Sequence, residues 1–393
     1  MSAEITVDAA FPGGNITVES IADEHVALHQ DVRDTQGDWF YWCFRARGAA
    51  GRTVRFAFTG SNVIGVRGPA VSLDGGVTWD WLGRGCVDGK AFDYRFDADA
   101  SDVRFSMGMP YVQTHLEAFL ARHAGNPHLA AETLCTTRKG RAAEMVRFGR
   151  KCGAAALGGE RSAPEGGCTA APIALVVTCR NHACEMMADY ALEGLIEAAL
   201  ADDDVGEWFR ENVDGLAVPF ADKDGVEDGD QGKNRRPHDH GRDYGEGSIY
   251  PTVRAIKDLV PRWSANRPLV ALDLHCPWIR GDLNEHIYAV ASDDDAAWAR
   301  SQVFSTVLEE TAGGPLPYAA DGNLPFGEAW NTYNGPRLSF KRWAERQPNA
   351  ILTTAFELPY ANAGGVAVTQ ETARAFGRDL AAALRAWRPN AET

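Results

Sequence analysis

The stretch "ALVVTCRNHACEMMADYALEGLIEAAL", Ala174–Leu200, decides the fold. Ala174–Cys179 is an apolar run of strand type, ended by Arg180 and Asn181, and from Glu185 to Leu200 apolar residues recur with helical spacing. A buried strand that passes through a short polar turn into a helix is the repeating unit of an α/β sheet covered on both faces. The polar turn carries His182 and, three residues on, Glu185. A helix would set the two side by side. One reading is a polar first turn, with Glu185 near the positive end of the helix. The other is half of a metal site, since tetrahedral zinc accepts imidazole and carboxylate ligands.

The same alternation extends in both directions. Strands are expected at "EMVRFGR" (144–150), "GLAVPF" (215–220), "LVALDLH" (269–275) and "AILTTAFELP" (350–359). Helices are expected at 112–123, 293–313 and 369–387, and at 250–263, where Pro261 should break the helix late. The Gly-rich 153–170 reads as a long surface loop. Before Val112 the pattern differs. "WFYWCFRAR" (39–47), "TVRFAF" (53–58), "FDYRFD" (92–97) and "DVRFSMG" (102–108) are short strand-type runs, and "AVSLDGGVTWDWL" (70–82) carries an Asp74-Gly75 hairpin signal. The expected architecture is two domains, an N-terminal all-β sandwich over 1–110 and an α/β catalytic domain over 111–393 with a mixed central sheet flanked by helices.

Composition narrows the function classes. The chain of 393 residues carries a net charge of −15 with no offsetting basic stretch, which argues against nucleic acid and anionic membranes as partners. No apolar run approaches the roughly 18 residues of a membrane span, and the N-terminus lacks the pattern of a secretion signal. The 8 cysteines form no CxxC pair and read as free thiols in a reducing compartment, so a cytoplasmic location is expected and the Asn15-Ile16-Thr17 sequon has no use. Oligomeric state leaves no mark on the sequence.

Three further positions extend the His182/Glu185 pair. His275 ends "LVALDLH", and open α/β sheets place their sites at the carboxyl ends of such strands. As a third ligand it would leave one zinc position open for water. Asp273 two residues earlier offers a partner that would support the ligands from behind, although a core-edge polar residue is the expected reading. Glu357 lies near the end of a buried-type strand, where a carboxylate is costly unless it faces a cleft or a partner. Beside zinc-activated water it would serve as general base. The loop "VPFADKDGVEDGDQGKNRRPHDHGRDY" (218–244) holds Arg235, Arg236 and Arg242, which suit carboxylate clamping or carbonyl polarisation. Its plain reading is a solvated charged loop. His238 and His240 are extra ligand candidates, and no EF-hand register is present.

Taken together these pieces resemble the zinc metallocarboxypeptidases of the carboxypeptidase A type, and within them the cytosolic branch with its N-terminal β-sandwich. HxxE, an arginine-bearing loop after Asp-Gly, a strand-end histidine and a strand glutamate follow in that family's order. "VPFADKDGV" is similar to the family's P-x-x-N-P-D-G, "DHGRDY" to its D-x-N-R-x-[WY], and "FSMGMPYVQTHL" with "LCTTRKG" to the join between its two domains. The resemblance implies one zinc ion held by His182, Glu185 and His275, with Glu357 as general base. It implies Arg242 as the arginine of the substrate carboxylate, Arg235 or the adjacent Arg236 as the oxyanion arginine, and Tyr333 as the mobile substrate tyrosine. Peptide or protein C-termini would be the substrates. Gly241 departs from the pattern, standing where the family has asparagine, and implies one lost anchor for the terminal carboxylate. Lys341 and Arg342 offer a floor for acidic side chains, although surface residues are the expected reading. Two rival readings stay open: a zinc amidohydrolase acting on small N-acyl amino acids, of the aspartoacylase type, and a non-catalytic binding module on the same fold.

Overall fold

The computed structural model describes residues 4–150 and 171–387. The expected loop at 153–170 lies outside them. Two five-stranded sheets are built from strands between Thr6 and Ser106. One contains Cys43–Arg47 and Val103–Ser106, paired antiparallel, and the other contains Thr53–Phe58 and Ala91–Arg95, also antiparallel. Alternation turns Val54, Phe56 and Phe58 inward, as the sequence predicts. The two sheets meet through an aromatic layer in which Phe44 lies 5.2 Å from Phe56 and Phe92 lies 5.4 Å from Phe105, ring to ring. The hairpin expected at Asp74-Gly75 has a longer loop. Its strands are Ala70–Ser72 and Asp80–Trp81, and the Asp74 carboxylate accepts from the Val77 and Thr78 amides between them. The sequence reading omitted strand Thr17–Ala22, which is largely exposed, and the short strand His25–His29, which does alternate, burying Val26 and Leu28.

A seven-stranded mixed sheet organises the rest, with order Leu129–Thr136, Ala142–Gly149, Val213–Val218, Ile173–Cys179, Leu269–His275, Ala350–Glu357, Tyr288–Val290. The four strands from Val213–Val218 to Ala350–Glu357 run parallel, and the outer pairings are antiparallel. Both faces are covered. Leu175 and Val177 pack in one core with Leu195, Phe376 and Leu380, while Ala174 and Val176 pack in another with Val253, Ile256 and Val260. Helices Met187–Leu200 and Gln370–Ala386 touch backbone to backbone: a Cβ at Gly377 would come 1.8 Å from the Ala191 carbonyl oxygen. Helix Pro251–Trp263 is not broken at Pro261. Pro261 lies in the last turn, and Ser264 N still donates to Val260 O at 2.9 Å, so the ring costs one amide and not the helix.

Candidate metal centre

The parallel strands end on the same side, and their register places His275 opposite Glu357. The adjacent strand Ile173–Cys179 ends one residue before Arg180, which takes a positive φ of 56°. Its buried guanidinium holds the turn that follows. Nε donates to Ala183 O at 2.8 Å, and Nη1 donates to Tyr111 O at 2.9 Å and to Asp189 Oδ2 at 2.7 Å. That turn carries His182 and Glu185, and the helix begins only at Met187. The expectation that Glu185 opens the helix is therefore corrected. The helix is capped by Met186 with no side-chain hydrogen bond, so no capping residue marks where it starts.

His182 Nδ1 lies 2.9 Å from Glu185 Oε1, and His275 Nδ1 lies 2.7 Å from Glu185 Oε2. One ligand atom from each residue falls within 4.8 Å of the other two. The two imidazole rings are 5.1 Å apart, and Glu185 is fully buried. Two imidazole nitrogens and one carboxylate oxygen, converging with their outer nitrogens turned away, form a donor set that fits a divalent metal ion. The outer nitrogens meet carboxylates: His275 Nε2 is 3.0 Å from Asp273 Oδ2, and His182 Nε2 is 3.8 Å from Asp239 Oδ1. Asp273 is thus no core-edge residue. It also accepts from Thr178 Oγ1 at 2.8 Å and Asn181 Nδ2 at 2.9 Å, so its orientation is set before it reaches His275.

The protonation balance is that of one cluster in which carboxylates, imidazoles and an ammonium set one another's charge. Burial pushes Glu185 up, but His182, Lys233 and His275 outweigh it and hold the carboxylate well below its usual range. Burial pulls His275 down, and Asp273 and Glu185 hold it well above the ordinary imidazole. Glu357 is raised to about 7, chiefly by burial, with His275 pulling down and Glu185 pushing up. Its Oε2 is buried without a hydrogen-bond partner.

His182, His275 and Glu357 open onto a cleft whose walls include Arg242, Tyr333 and Lys341. The Arg242 guanidinium lies 4.6 Å over the Tyr333 ring, and no carboxylate pairs with it among the described residues. Lys341 differs from its expected surface position. It is 4% exposed, and its Nζ donates to Glu345 Oε1 at 2.6 Å. Arg342 also lines the cleft and donates to Tyr333 O at 2.9 Å.

Other candidates fall elsewhere. Arg235 does not reach the cleft. It is buried between Asp222 at 3.0 Å, Asp230 at 2.6 Å and Asp34 at 3.4 Å, which use up its charge. Arg236 is exposed and outside the cleft. His238 pairs with Asp243 at 2.6 Å, and His240 stacks on Tyr250 at 3.6 Å, so neither is among the converging ligand atoms. The cation that does reach the centre is Lys233, which the sequence reading passed over. Its Nζ lies 2.5 Å from Glu185 Oε1, and the charges of Glu185 and Glu357 raise its pKa against burial. The loop reaches the metal turn through Gly232, where a Cβ would lie 2.1 Å from Ala183 N, and through Cys184 N donating to Gln231 O at 3.1 Å. A glycine before the lysine is the only local sign, and it is too common to have singled Lys233 out.

No protein-family model matches the chain, and no curated protein does. Solved structures do. A metallo-carboxypeptidase from Burkholderia cenocepacia superposes with a TM-score of 0.75 at 18% identity, covering 98% of this chain and 98% of that one. A metallo-carboxypeptidase from Pseudomonas aeruginosa, in complex with (2-guanidinoethylmercapto)succinic acid, gives 0.73 at 19% identity, over 97% and 98%. The chain has the fold of these proteins along its whole described length, N-terminal sheets included.

Proposed function

We propose that the protein is a zinc-dependent metallocarboxypeptidase that removes C-terminal residues from peptides or proteins. The observation that carries this reading is the convergence of His182 Nδ1, His275 Nδ1 and Glu185 beside Glu357, in a cleft whose wall carries the unpaired Arg242. An isolated metal site would not need a guanidinium near it. A site for a chain terminus does, because a free α-carboxylate is the one feature every such substrate shares.

In this reading His182, Glu185 and His275 hold one zinc ion, which when bound supplies a Lewis acid that polarises the scissile carbonyl and acidifies water. Glu357 takes the proton of the attacking water and delivers it to the departing amine. Lys233, and not Arg235, faces the negative charge that grows on the carbonyl oxygen. Arg242 binds the terminal carboxylate, with Tyr333 stacked on it as the movable wall. Lys341 lines the pocket with its ammonium already paired to Glu345, so it offers no free charge to an acidic terminal side chain. The two sheets before residue 110 form a separate N-terminal β-sandwich, and 111–393 the catalytic unit. The 6 described cysteines, all unpaired, support a cytoplasmic location.

The test is mass spectrometry of a peptide library incubated with zinc-loaded protein, beside Glu357→Gln and C-terminally amidated copies. Loss of single C-terminal residues, absent in the mutant and in amidated copies, is the expected result. Cleavage of N-acyl amino acids alone would replace the reading with a small-amide hydrolase.

A further inference from the structure

The loop that delivers Lys233 is gripped along its length by the N-terminal part of the chain. Asn15 Nδ2 donates to Gly229 O at 2.7 Å. Gln231 meets the Tyr41 backbone twice: its Oε1 accepts from Tyr41 N at 2.7 Å, and its Nε2 donates to Tyr41 O at 2.8 Å. Gln36 N donates to Asn234 O at 3.2 Å, and Asp34 pairs with Arg235. At the centre of these contacts Lys233 Nζ lies 5.2 Å over the ring of Trp39. Trp39 is itself fixed. Its Nε1 donates to Gln36 O at 3.2 Å, and its ring packs 5.0 Å from Trp278, three residues past His275.

We propose that Trp39 is a positioning residue for the reaction: its ring face holds the Lys233 ammonium at Glu185 and Glu357, so that the N-terminal β part sets the charge at the metal centre. A lysine has four rotatable side-chain bonds and needs a second constraint to stay at one place. The carboxylate of Glu185 supplies one attraction, but it is shared with any bound metal ion. The quadrupole of the indole face supplies the other and does not compete for the metal. The role of Lys233 rests on the function proposed above, while the contact with Trp39 does not.

The experiment is a double-mutant cycle of Trp39→Leu and Lys233→Met, read by kcat and KM on a cleaved peptide and by zinc Kd from chelator competition. With Lys233 present, Trp39→Leu should lower kcat roughly tenfold and leave KM unchanged. Zinc binding should tighten a few-fold, because a loosened ammonium no longer opposes the cation at Glu185. In the Lys233→Met background both effects should vanish. Trp39→Phe keeps an aromatic face and should restore most of the kcat, which covers the case in which Trp39→Leu does not fold. Equal losses in both backgrounds would overturn the proposal, as would a KM rise confined to peptides with an aromatic residue before the cut, which would make Trp39 a substrate contact. If the wild-type protein cleaves no peptide, the carboxypeptidase reading fails, and the zinc Kd cycle still decides whether Trp39 positions Lys233.

Discussion

Lys233 Nζ lies 2.5 Å from Glu185 Oε1, and Arg235, two residues on, is neutralised by three aspartates. The two cations therefore do different work. Lys233→Met should lower kcat by about 10²–10³, the usual cost of one donor to a developing oxyanion, with Lys233→Arg losing less. Arg235→Met leaves Asp222 buried without its guanidinium, while Asp230 keeps Arg33, and should cost about 3–5 kcal/mol of stability. Steady-state kinetics and thermal melts of the two variants separate these roles, and the reverse pattern would exchange them.

Gly241 is explained by His182 and not by the substrate. A Cβ at this position would come 2.5 Å from His182 Nε2. Gly241→Asn should therefore fail to tighten binding of a terminal carboxylate. It should instead push the ring and weaken metal affinity by about tenfold or more, as changes around a ligating histidine do. Metal content after dialysis against a chelator reads this directly.

Asp273→Asn should lower metal affinity about 10–100-fold while leaving the ligands in place. Its carboxylate faces His275 Nε2 at 3.0 Å and fixes which ring nitrogen is free to bind. An unchanged zinc Kd would mean that Thr178 and Asn181, and not His275, are what Asp273 serves.

Metal uptake should release protons and strengthen with pH. Without the ion His275 is held protonated well above its ordinary range, and Glu357 titrates at about 7. A dication cannot share Nδ1 of His275 with a proton, and it favours the ionised form of Glu357, so both groups move downward on binding. Affinity should rise between about pH 6 and 8. Isothermal titration in buffers of different ionisation heat counts the protons, and a count of zero at pH 6.5 would refute the assignment.

Glu357→Gln should retain zinc and lose about 10²–10⁴ in kcat, the range expected when a positioned general base is removed. Metal analysis beside kinetics checks both halves at once.

The sequence by itself determined the alternation that builds the parallel strands, and with it His275 and Glu357 as strand-end residues and the His182/Glu185 turn between strand and helix. These were legible because apolar periodicity is local and strands of a parallel sheet end on one side, so residues far apart in sequence converge without further information. The tertiary structure alone decided what the loop between Val218 and Tyr244 does. Its basic residues are alike in sequence, and which one enters the centre depends on contacts with Asn15, Asp34 and Tyr41, some 190 or more residues away. The same holds for Lys341, whose burial comes from the packing of a short helix, Phe340–Ala344, against the sheet. Charge is a property of a residue, but the place where it is spent is set by long-range packing, which leaves no period in the chain for sequence reading to find.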